Sequence, residues 1–74
     1  MWHPANTDTP ETGRFVFIKR WYPVLNMDVA EQTLHVTRRA PAFDAVLFHP
    51  IFPDGKIGEF CPDVKAWQYC CPQD

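Results

Sequence analysis

The chain has 74 residues, of which 46% are hydrophobic and 15% aromatic, and its formal net charge is -2. That length accommodates one domain, residues 1–74, and without an apolar run of about 18 residues no membrane span is expected. Serine is absent, which excludes serine-nucleophile mechanisms, and the slight acidic excess disfavours nucleic-acid binding, where phosphate neutralisation supplies most of the affinity.

The start, Met1-Trp2-His3-Pro4, lacks a basic region followed by an apolar stretch, so no secretory leader is expected. Residues 1–13 read as an irregular N-terminal segment, held down if Trp2 packs inward, with a turn signal at Pro10-Glu11-Thr12-Gly13. Residues 14–22 are rich in aromatic and β-branched side chains and predict a first strand, ended by Pro23. Its alternating sets, Phe15/Phe17/Lys19/Trp21 and Val16/Ile18/Arg20/Tyr22, are both apolar at the start. This suggests a central strand covered on both faces, or a sheet whose second face meets something else.

Residues 26–32 are the one plausible helical turn, with Asn26 as its cap and Asp28 near its positive end; a loop is the alternative. Residues 33–39 alternate with period two, Leu34 and Val36 against His35, Thr37 and Arg39, and predict a half-buried strand broken by Ala40-Pro41-Ala42. A third strand is expected over 43–52, at an edge or bulge because Pro50 has no N–H to donate. Pro53-Asp54-Gly55 turns the chain and 56–60 return as a short hairpin partner. Residues 64–70 form the last strand, with Trp67 and Tyr69 on one face. The fold class is therefore mainly β, or a small α+β: a single antiparallel sheet or meander of four to five short strands, with at most one helical turn around 26–32.

The offsets at the two ends resemble a family of small domains of unknown function common in tailed phages and prophages. Its pattern begins with Trp, continues Leu-Pro-x-x-Gly-x-x-Val and closes with Val-x-x-Trp. Trp2, Pro10, Gly13 and Val16 match the first part, and Val64-Lys65-Ala66-Trp67 the second. Thr9 stands in place of the leucine, and Gln68-Tyr69-Cys70-Cys71-Pro72 replaces a proline-rich ending. The resemblance implies a phage or mobile-element origin, a small sheet with Trp2 and Trp67 in its core, and an accessory role in the cytoplasm of a bacterial host. It carries no catalytic residue.

The three cysteines, Cys61, Cys70 and Cys71, are an odd number with two adjacent. They read as reduced thiols in a cytosolic compartment, with a Cys61–Cys70 bridge as the alternative. They and His3, His35 and His49 lack the spacing of a structural zinc site, so no metal or other cofactor is expected. A thiol nucleophile needs a base, and His49 across the hairpin from Cys61 is the candidate. The carboxylates Asp8/Glu11 and Asp54/Glu59 fall in turns, without the burial that acid–base work requires. An enzyme is not expected.

Eleven Phe, Trp and Tyr residues exceed what a small one-faced sheet needs. The surplus predicts a contact surface drawn from Trp21, Tyr22, Phe48, Ile51 and Phe52, with Arg20, Arg38 and Arg39 beside them. The expected partner is another protein, of host or phage origin, or a second copy of the chain; inhibition of a host defence complex such as a CRISPR effector is one concrete version. The rival readings are a nucleic-acid module using Lys19, Arg20, Arg38 and Arg39 with Trp21 and Tyr22, and a metal-stabilised structural module.

Overall fold

A computed structural model describes residues 1–71. The chain forms one antiparallel sheet from β1 (His3–Pro4), β2 (Phe15–Tyr22), β3 (Met27–Ala30), β4 (His35–Ala40), β5 (Ala45–Pro50) and β6 (Val64–Tyr69). The strand order is β1-β6-β2-β4-β5, and β3 pairs with the far half of β2. β2 is the axis of the sheet. Lys19 is paired to Ala66 of β6 on one side and to Ala30 of β3 on the other, while Phe15 and Val16 are paired to Val36 and His35 of β4. No helix among the described residues is long and apolar enough to cross a membrane.

Residues 26–32 are not a helical turn. Asn26 takes a left-handed conformation, φ 53°, which asparagine tolerates better than most residues. Leu25 N–H donates to Tyr22 O at 3.1 Å and Asn26 N–H to Pro23 O at 3.2 Å, so the chain reverses at once. Met27–Ala30 then satisfies its backbone groups on the free edge of β2. An isolated turn of helix offers no such return for its nucleation cost. The helical turn lies instead at Pro41–Phe43, a 3-10 turn closed by Asp44 at φ 49°. The third strand is correspondingly shorter than residues 43–52.

Pro50 does end an edge strand. Beyond it Gly55, at φ 86°, permits the turn, and residues 56–61 run back beside β5. Phe52 N–H bonds Lys56 O, Gly58 N–H bonds Pro50 O, and Cys61 N–H bonds Phe48 O, at 2.8–2.9 Å. A Cβ on Gly58 would meet the outer edge of the Phe52 ring at 2.8 Å, so any larger residue there requires that exposed ring to move.

The core lies on one face of the sheet and is made of Val16, Ile18, Phe48 and Trp67, with Ala5, Cys61, Val64 and Tyr69 packed against it. The N-terminal segment covers this face. Trp67 Nε1–H donates to Asp8 O at 3.0 Å, Glu11 N–H to the Tyr69 hydroxyl at 3.0 Å, and Thr37 Oγ1–H to Glu11 O at 2.6 Å, while Pro10 is buried. Trp2 is not in this core. It is half-buried on the opposite face, where Lys19 Nζ stands 4.7 Å from its ring centre. What holds the segment down is the backbone of residues 8–11.

β4 also inverts its expected amphipathicity. His35 and Thr37 are buried on the core side, while Val36, also buried, looks to the other face. The register decides this: Val16, a core residue, is paired with His35, so alternation carries His35 and Thr37 inward together. Both are tolerated there because each finds polar partners.

Candidate functional site

Two features could carry function: the apolar surface on the uncovered side of the sheet and its β2–β3 hairpin, and a polar cluster on the covered side. The uncovered face presents Trp2, Phe15, Phe17, Lys19 and Trp21, flanked by Val36 and Arg38. Phe15, Val36 and His49 lie side by side across β2, β4 and β5, and the Phe60 ring meets His49 edge-on at 6.4 Å. Towards β4 and β5 this face is partly closed, Val36 being buried and the returning segment lying against His49, while Phe15 and Trp21 stay exposed. At the end of β2 the hairpin loop projects Val24, 96% exposed, with Leu25, Met27 and Trp21 also open to solvent.

The predicted contact residues do not form one patch. Phe48, 7% exposed, belongs to the core and is not available to a partner. Alternation along β2 places Arg20 and Tyr22 on the covered side, where Arg20 lies 3.5 Å from Glu31. Arg39 shares that side and pairs with Asp44 at 3.1 Å. Ile51 is half-buried in a bridge to Ile57, and Phe52 is exposed beside Gly58. Of the eight, Trp21 and Arg38 share the uncovered face. The sequence reasoning missed Val24, Leu25 and Met27. The signal was present: an apolar pair between Pro23 and Asn26, where a turn normally carries polar residues.

On the covered side Arg20, Tyr22, Glu31, His35 and Cys61 come together. Glu31 accepts a short hydrogen bond from the Tyr22 hydroxyl, and this bond, more than burial, raises the Tyr22 pKa. His35 Nδ1 lies 2.8 Å from Thr33 O and Nε2 3.3 Å from Cys61 Sγ. A carbonyl can only accept, so Nδ1 carries the proton and Nε2 accepts from the thiol. Cys61 therefore meets His35, whereas His49, its expected neighbour, bonds Gly58 O at 2.9 Å. Burial pushes the Cys61 thiol up and the His35 imidazole down. Both shifts favour the neutral pair over the thiolate–imidazolium form that a thiol nucleophile needs. A hollow of about 280 Å³ opens between the N-terminal segment and β5, lined by Asp8, Pro10, Arg39 and Phe48 among others, and neither His35 nor Cys61 lines it. Among the described residues no three of His, Cys, Asp and Glu gather as a metal site.

His35 makes folding pH-dependent with a definite sign. Its native pKa lies below the ordinary value, so above pH ~6.5 both native and unfolded chains hold it neutral and its contribution is complete. As the pH falls below that, the unfolded chain takes the proton first. Stability declines by up to about 1.4 kcal/mol per pH unit until native His35 titrates too. Urea unfolding between pH 7 and 5 checks this: His35→Gln flattens the dependence relative to wild type, and equal slopes refute it.

Comparison with models of protein families, with curated proteins and with solved structures finds no match to this chain.

Proposed function

We propose that this chain is a stoichiometric protein-binding accessory protein whose anchor is the β2–β3 hairpin. The observation that carries this reading is the exposure of Trp21, Val24, Leu25 and Met27 on one hairpin, shaped by two backbone bonds within its loop. Large apolar groups held rigidly at a projecting tip lose little freedom on docking and suit an apolar pocket on a partner. The neutral pair of half-buried Cys61 and buried His35 supports a binder over an enzyme. The resemblance of the chain ends supports a phage-type protein acting in a bacterial cytoplasm, and inhibition of a host defence complex such as a CRISPR effector is its most specific form. At a net charge of -2, shape and apolar anchors, rather than mimicry of nucleic acid, would carry such an inhibition.

Val24→Asp with Leu25→Asp tests the reading. Both positions are exposed, so stability should change by no more than about 0.5 kcal/mol per site. The partner captured in equal amount by the wild-type chain from a phage-bearing host is expected to be held roughly thirtyfold more weakly, a loss of about 2 kcal/mol. Undiminished binding of the same partner by the folded variant refutes the hairpin as anchor.

A second reading has its own observation. Lys19 and Arg38 form no ion pair among the described residues, and they share the uncovered face with Trp2, Phe15, Phe17 and Trp21. Arg20 and Arg39 are instead engaged with carboxylates. Rings interleaved with cations that no carboxylate neutralises suit stacking of single-stranded nucleic acid. Under this reading, retention on single-stranded DNA is salt-sensitive, and Lys19→Ala and Arg38→Ala each reduce the salt slope by roughly one.

A further inference from the structure

Just past the end of β6 the chain places two thiols side by side. Cys70 Sγ and Cys71 Sγ are 3.5 Å apart. The Cys70 N–H is fastened to Phe15 O at 3.1 Å, so one sulfur rides on the sheet while Cys71 is exposed beside it. Cys61, the remaining thiol, is engaged with His35 on the covered face. We propose that Cys70 and Cys71 form a two-sulfur chelating site for a trivalent arsenical.

Geometry separates this site from its two obvious rivals. Cα atoms of adjacent residues are held about 3.8 Å apart, shorter than the usual span of roughly 4.4–6.8 Å for a disulfide. A bridge between these two sulfurs is therefore strained and easily reduced, and the pair persists as a dithiol. A single atom bonded to both sulfurs meets no such constraint: at about 2.3 Å from each, the length of a zinc–thiolate bond, it spans the 3.5 Å gap at an angle of about 100°. A structural zinc ion would need two further ligands, and among the described residues no group of three His, Cys, Asp or Glu is assembled. An organic arsenoxide needs only the two sulfurs, because its third bond is already to carbon. Both thiols are consumed in the capture. Two As–S bonds form, the As=O bond breaks, and its oxygen leaves as water with the two thiol protons. Arsenic stays trivalent and sulfur is not oxidised, so no further reactant is required.

The test uses phenylarsine oxide on the intact chain, followed by mass spectrometry in the presence of excess glutathione, a monothiol. The wild-type chain and Cys61→Ser are expected to carry one phenylarsenic group each, released by a small dithiol and not by glutathione. Cys70→Ser and Cys71→Ser are expected to hold it about a hundredfold less tightly, since the second As–S bond no longer forms intramolecularly. Cys71 is exposed, so its variant keeps the test valid if Cys70→Ser fails to fold. An adduct that survives in Cys71→Ser or disappears in Cys61→Ser overturns the proposal. So does an adduct that glutathione strips from the wild-type chain. A chain that reacts only after prior reduction overturns it in favour of a disulfide, and zinc bound one to one through the same cysteines overturns it in favour of a metal centre.

Discussion

The Trp67→Ala variant is expected to lose about 3–5 kcal/mol of folding stability, the usual cost of deleting a large buried ring. A domain of this size has roughly 4–11 kcal/mol in total, so much of the population should be unfolded at moderate temperature. Trp67 is 3% exposed and joins three parts of the structure. It is paired with Ile18 of β2, its ring stacks on His3 of β1 at 4.5 Å, and it meets Tyr69 edge-on at 5.0 Å. Its Nε1–H also holds Asp8 O of the N-terminal segment, so truncation leaves a cavity and releases a carbonyl together. The measurement is urea unfolding followed by far-ultraviolet circular dichroism, with Trp21→Ala as the contrast. Trp21 is 38% exposed, and its loss should cost about 1 kcal/mol or less. Equal losses in the two variants would mean that the covered face is not where the domain is held together.

Thr37→Val is the second large effect, and it arises from one oxygen atom. The side chain is fully buried. Its hydroxyl donates to Glu11 O at 2.6 Å and accepts from Arg14 N–H at 3.1 Å. Valine preserves the shape and removes both bonds. Each group deprived of its partner costs about 1–3 kcal/mol if it stays enclosed. The chain can reduce that cost only by letting residues 8–14 lift towards water, which uncovers Trp67. Amide hydrogen exchange should therefore accelerate first in the N-terminal segment, ahead of β2 and β6. Thr37→Ser restores the hydroxyl and gives up one methyl group, about 0.8 kcal/mol. If serine is no better than valine, the hydroxyl is not the cause.

Much of the strand content was legible because it follows from short-range chemistry. Val16-Phe17-Ile18, and Val64, Trp67 and Tyr69 further on, are strand-formers between turn signals, and Pro23, Pro41 and Gly55 punctuate the chain where the structure turns. Residues 27–30 were not legible as a strand. Four residues have almost no intrinsic preference, and the free edge of β2 that claims them is formed by residues outside that window. The surplus of rings was visible in the composition, but its distribution was not. Phe48 went to the core, Trp2 to the uncovered face and Trp21 to the exposed hairpin. Likewise nothing local brings Cys61, 26 residues away, to His35; the returning segment beside β5 does so.

The sequence by itself determined that this is a mainly β domain with more apolar surface than one sheet face can hide, because composition and period-two patterning are properties of neighbours along the chain. The tertiary structure decided which face is hidden. That choice follows from register, since pairing Val16 with His35 and Ile18 with Trp67 sends every alternate side chain of three strands to the same side. A slip of one residue would exchange the core and the uncovered face, and that pairing is a long-range property no local stretch of residues encodes.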